Sequence, residues 1–151
     1  MSFFRKKQPL LSETENEKVV QAIREAEQRT SGEIRVFVES KNPLVNPLER
    51  AAIIFDRLEM EKTRHRNAVL IYIASHHHEL AVYGDEGIHQ QVGSDYWQEE
   101  VKQMLSYFRK GNIAEGLLGC IKHIGETLHE KFPYIATEDK NELPDEIIFG
   151  K

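Results

Sequence analysis

Seven consecutive apolar residues, Ala68 to Ala74, stand between the basic stretch Lys62 to Arg66 and the polar turn Ser75 to His78. A run so short and so uniformly apolar suits a strand covered on both faces. Glu79 to Tyr83 reads as the next strand, and a turn of only a few residues makes it antiparallel to the first. Upstream, Glu33 to Glu39 alternates, with Ile34, Val36 and Val38 on one face. A helical pattern separates that strand from the central run, so the two are expected to lie parallel through a crossover. The fold class that follows is α/β: a three-layer α/β/α sandwich around a small mixed parallel/antiparallel sheet.

The flanking segments carry helix signals. Ser12 and Glu15 form a capping box, and Val19, Val20, Ile23 and Ala26 follow at helical spacing. Thr30-Ser31-Gly32 is expected to end that helix, with Gly32 in the left-handed conformation. Pro47 fits the first position of a second helix, whose apolar face is Ala51, Ile54, Phe55 and Leu58. Ile88 to Val92 reads as a short helical turn at most. Ser94 is expected to cap a longer helix with Trp97, Val101, Leu105 and Phe108 inward. Gly111 stops it. Asn112, with Glu115 in the capping-box position, opens a last helix that buries Leu117, Ile121, Ile124 and Leu128 and closes at Pro133.

Length and composition narrow the setting. The 151 residues fit one domain. Its expected limits are 11–133, after an N-terminal extension 1–10 and before an acidic tail 134–151 pinned onto the body by Ile147, Ile148 and Phe149. The net charge of -5 argues against a nucleic-acid partner. A single cysteine, Cys120, excludes an internal disulfide and suits a reducing compartment. No segment approaches the roughly 18 apolar residues of a membrane span, and the basic start lacks the apolar run of a signal peptide. A cytoplasmic location is the expectation.

The topology brings distant residues to one edge. Parallel strands begin at the same edge, and the returning third strand ends there. Ser31-Gly32-Glu33, Arg66-Asn67 and Gly84-Asp85-Glu86-Gly87 are therefore expected to meet. Hard divalent cations take carboxylate and carbonyl oxygens, and calcium tolerates a flexible set. Glu33, Asp85, Glu86 and nearby Asp95 would supply carboxylates, while Gly84 and Gly87 would let the backbone approach. The plainer alternative is a strand-ending turn with Glu33 in solvent, since glycine and aspartate are common turn residues. Arg66 and its basic neighbours suit either a phosphate or a solvated loop.

The opposite edge competes. It holds Glu39, Ser40, Asn42 and His76-His77-His78, and open α/β sheets bind ligands beyond the carboxyl ends of their parallel strands. Adjacent histidines diverge in a turn, so a polar hairpin outweighs a zinc or nickel site. Cys120 reads as a packing residue. There is no Walker loop, no dinucleotide glycine pattern and no nucleophile elbow.

Several stretches taken together resemble the TPM-domain family, named partly for thylakoid-lumen proteins linked to photosystem II repair and acid phosphatase activity. They are Thr30 to Val36, Lys62-Thr63, Arg66-Asn67 leading into Val69 to Tyr72, Gly84 to Ile88, Trp97, and Ala114 to Leu117. The resemblance spans about Leu11 to Ile147. It implies an α/β/α sandwich and a divalent metal, calcium first and magnesium second. It puts weight on Ser31, Gly32, Glu33, Asn67, Gly84 and Asp85, and so on the first edge. Many relatives carry a signal peptide and a membrane anchor, so this chain is expected to be a stand-alone domain without the lumenal repair role. The expected function is that of a domain binding a divalent metal, calcium first, as a binding or regulatory module. The alternatives are a metal-assisted phosphatase with Arg66 as clamp, and a protein-interaction module.

Overall fold

The computed structural model describes residues 10–44, 46–135 and 147–150. The basic start, 1–9, and the acidic stretch 136–146 lie outside the described residues. The elements run α1 (Glu13–Glu27), β1 (Glu33–Glu39), α2 (Pro47–Arg57), β2 (Ala68–Ala74), β3 (Glu79–Gly84), α3 (Glu86–Val92), α4 (Ser94–Arg109), α5 (Ile113–Lys131) and β4 (Ile147–Phe149). The sheet order is β3-β2-β1-β4, with β1 parallel to both neighbours and β3 antiparallel to β2.

Alternation along the strands divides the core into two layers. Ile34, Val36, Val69, Ile71, Leu80 and Val82 pack under α1, α4 and α5. Phe37, Leu70, Tyr72 and Ala81 pack under Ala51, Ile54 and Phe55 of α2. All seven residues of β2 are buried, as its apolar run requires. All seven of β1 are buried too, including its charged members. Its polar face is not solvated, because that face lies under the α2 layer and β4 closes its outer edge.

Local signals explain most element boundaries. The Ser12–Glu15 capping box is formed at 2.9 and 3.1 Å, and Asn46 caps α2 with Pro47 at its first position. Other termini differ from expectation. Asp85 caps α3, so the short turn becomes a seven-residue helix. Ser94 is the first residue of α4 rather than its cap, and the Asn112 side chain makes no capping bond. Gly32 does not adopt a positive φ. It gives room instead: a Cβ there would stand 2.7 Å from Leu128 Cδ2 and 3.2 Å from the Asn67 carbonyl oxygen, so the buried Leu128 side chain would have to shift.

The end of α5 is tied to the start of β1. The Thr30 hydroxyl reaches the carbonyls of Leu128, at 3.0 Å, and of Phe132, and accepts from the Gly32 N–H at 3.0 Å. The Ser31 N–H donates to Phe132 at 3.0 Å. These bonds fix where β1 begins, and with it the level of Glu33 in the sheet.

Candidate functional site

Glu33 pairs in register with Ala68, and the Asp85 N–H donates to the Ala68 carbonyl at 2.9 Å. Glu33, Ala68 and Asp85 therefore lie side by side across three strands, on the face covered by α2. The backbones of the two acids are about 10 Å apart, two inter-strand spacings. Both are buried, at 2% and 4% exposed.

Asp85 has two duties. One oxygen accepts from the Glu86 N–H at 2.8 Å and so caps α3. Arg66 grips the carboxylate from the other side, Nε to Oδ2 at 2.6 Å and Nη2 to Oδ1 at 2.8 Å. Its remaining contact is Nη1 to Glu86 at 3.1 Å. The hydrogen bonds from Arg66 to Asp85 hold the guanidinium more firmly protonated than usual; partial desolvation opposes this, and the Asp85 and Glu86 charges add to it.

The backbone is built for that grip. Arg66 sits at φ 51°, a left-handed conformation that L side chains rarely adopt. Its carbonyl accepts from the Gly87 N–H at 2.8 Å. A Cβ on Gly87 would stand 2.1 Å from the His65 carbonyl oxygen, so only glycine lets α3 start so close to this loop. Gly84 is covered likewise: its missing Cβ would meet Trp97 Cζ2 at 2.2 Å, and the Trp97 indole N–H donates to His89 Nδ1 at 3.0 Å.

Asn67 is fully buried and donates to Ser31 Oγ at 3.1 Å. Its Oδ1 is buried without a hydrogen-bond partner among the described residues, as are Thr63 Oγ1 and Glu61 Oε1. The structure thus joins Ser31 with Asn67, and Arg66 with Asp85 and Glu86, and sets Glu33 level with Asp85. Gly32 lies between Leu128 and the Asn67 carbonyl. Asp95 is exposed in the first turn of α4 and forms no ion pair with a described residue. Among the described residues, no three His, Cys, Asp or Glu side chains are grouped to hold a metal ion.

At the opposite edge Glu39 is bound by Arg50, at 2.8 and 2.9 Å, and by the Tyr72 hydroxyl at 2.5 Å. His76 and His77 touch ring to ring, while His78 meets Phe108 instead. The sequence reading missed the Arg50–Tyr72 pair, although Arg50 adjoins the apolar stripe Ala51–Ile54 and a cation there needs a partner. It also missed Glu100, which is 2% exposed and contacts His123. Thr63 enters the sequence reading only within Lys62-Thr63 of the family resemblance, and no pattern flags Glu61.

The sequence pattern of the TPM domain matches residues 5–127. The fold is similar to the NMR structure of BA42 protein from the psychrophilic bacterium Bizionia argentinensis, with a TM-score of 0.86 and 36% identity over 96% of this chain and 99% of that one. No curated protein matches the chain. No helix among the described residues is long and apolar enough to cross a membrane.

Proposed function

The chain belongs to the TPM-domain family, and on that premise we propose that it is a binding or regulatory module that takes a divalent cation, calcium first and magnesium second, at the edge holding Glu33, Asn67 and Asp85. One observation carries the reading. Glu61 Oε1, Thr63 Oγ1 and Asn67 Oδ1, from a single stretch of the chain, are buried without hydrogen-bond partners among the described residues. Buried acceptors without donors are costly, and an all-oxygen set is the kind a hard cation takes. Glu33 and Asp85 would add the formal charge.

Arg66 sets a condition on the reading. It acts as counter-ion to a buried carboxylate, so a cation reaching Asp85 competes with a guanidinium. The three Arg66 contacts all go to carboxylates. A phosphoryl clamp would need that residue released, so hydrolysis of phosphomonoesters is not the reading favoured.

Calcium titration followed by backbone NMR shifts tests the proposal. The expected shifts lie in 61–67 and 84–87, and Asp85→Ala abolishes them together with the calcium-dependent rise in melting temperature. Arg66→Ala removes the competing guanidinium and tightens calcium binding. A response confined to His76–His78, or a wild-type response in Asp85→Ala, rejects the site.

A further inference from the structure

β3 ends one side of the sheet. The bond from the Asp85 N–H to Ala68 fixes which of its residues face β2. Antiparallel hydrogen bonding alternates, so Glu79, Ala81 and Tyr83 exchange bonds with β2, while Leu80, Val82 and Gly84 direct their N–H and C=O outward. Among the described residues these outward groups have no other hydrogen-bond partner. Such an edge is a template for one more strand once the side chains over it move aside, since Leu80 and Val82 are only 6% and 1% exposed; β3 carries neither the proline nor the lysine that commonly blocks pairing.

The edge is recessed. Two adjoining hollows of about 390 and 380 Å³ run along it and share Leu48, Val82, Trp97 and Gln98. The start of α2 forms one wall and α4 the other. A cleft between two helices admits one extended chain but not the edge of a second sheet with helices of its own. The walls are largely apolar, through Pro47, Leu48, Val101 and Leu105, and Leu48 is 49% exposed.

The charges at the two ends differ. Trp97 packs on Gly84 and Phe108 meets His78, so α4 runs opposite to β3. Lys102 and Arg109 line the end nearer the β2–β3 turn, and neither forms an ion pair with a described residue. At the other end Asp85 and the exposed Glu86 are both paired with Arg66, so that end offers no free cation among the described residues.

We propose that this groove binds an extended segment of a partner protein by strand addition to β3, with apolar side chains against α2 and α4 and an acidic C-terminal end at Lys102 and Arg109. The acidic end lies beside the start of β3, so the added strand runs antiparallel to it. Leu80 to Gly84 would pair over about 17 Å. Leu48 and Gln98 are the side chains the segment displaces. The site does not depend on the cation reading.

The test is selection of binders from displayed decapeptides with free carboxyl ends, followed by NMR on the full chain. Selected peptides are expected to alternate apolar residues and end in Glu or Asp. They should shift and protect the amides of Leu80, Val82 and Gly84, with or without calcium. The exposed double variant Lys102→Gln/Arg109→Gln keeps the melting temperature within a few degrees and lowers their affinity about tenfold. N-methylation of alternate peptide amides, which removes the donors, should abolish binding. No selected binder, or binders that leave those three amides unmoved, overturns the proposal. So does concentration-dependent dimerisation that protects the same amides, which would assign the edge to a second copy.

Discussion

The Arg66 guanidinium holds the Asp85 carboxylate through bonds of 2.6 and 2.8 Å, although the two residues differ sharply in burial: the Arg66 side chain is 41% exposed and that of Asp85 5%. The acid is committed to the interior and the base is not. Removing either partner therefore leaves an unequal remainder.

That inequality sets the first prediction. Arg66→Ala leaves a buried carboxylate without its cation, whereas Asp85→Asn leaves a solvated arginine and keeps a side-chain oxygen able to cap α3. Arg66→Ala should lower the melting temperature more than Asp85→Asn in the absence of calcium. Thermal unfolding followed by circular dichroism checks the order, and a larger loss in Asp85→Asn would contradict it.

The second prediction concerns glycines. Gly87→Ala forces a Cβ to 2.1 Å from the His65 carbonyl and 2.6 Å from that of Arg66, and backbone atoms yield poorly. It should destabilise by about 1–3 kcal/mol and disturb the Arg66–Asp85 bonds. Gly119→Ala, on α5 with nothing within 4 Å of the added carbon, should stabilise by about 0.5–1 kcal/mol. Urea unfolding of both variants measures the contrast.

The third prediction concerns Thr30, whose hydroxyl joins α5 to the first turn before β1. Thr30→Val keeps the shape and leaves the buried Gly32 N–H without its acceptor. A cost of about 1–3 kcal/mol is expected, with faster amide exchange at Gly32 and Ser31. Unchanged exchange there would show that the hydroxyl does not fix the start of the strand.

These sites differ in how far the sequence exposes them. The apolar run Ala68 to Ala74 announces a buried central strand, and the short turn after it dictates the return of β3, so the alignment of Glu33 and Asp85 on either side of Ala68 follows from chain direction. The hold of Arg66 on Asp85 does not follow, because it depends on a positive φ that no residue type at that position signals. α3 is hidden for another reason. It buries one side chain, Ile88, and so offers no period to read. The Glu39–Arg50–Tyr72 cluster joins three elements, and only the register of β1 on β2 brings them together.

Two buried glutamates should give the pH dependence of stability opposite signs. At Glu39, burial pushes the pKa up, but the hydrogen bonds from Arg50 and Tyr72 and the charges of Arg50 and Arg57 outweigh it, so the carboxyl titrates below its ordinary range. Its stabilisation is present above the unfolded value of about 4.3 and fades as the pH falls through the lower folded value. At Glu100, burial dominates over the relief from His123 and Cys120 and raises the pKa. Its contribution is therefore full below about pH 4.3 and lost as the pH climbs through the higher folded value. Glu39→Gln should cost about 1.5–3 kcal/mol at neutral pH, with the gap to wild type narrowing in acid. Glu100→Gln, which carries no charge to bury, should equal or exceed wild-type stability at neutral pH and fall behind it in acid. Melting temperatures of the three proteins between about pH 3 and about pH 7 decide the matter. Curves that stay parallel for both variants would mean that neither carboxyl titrates differently in the folded chain.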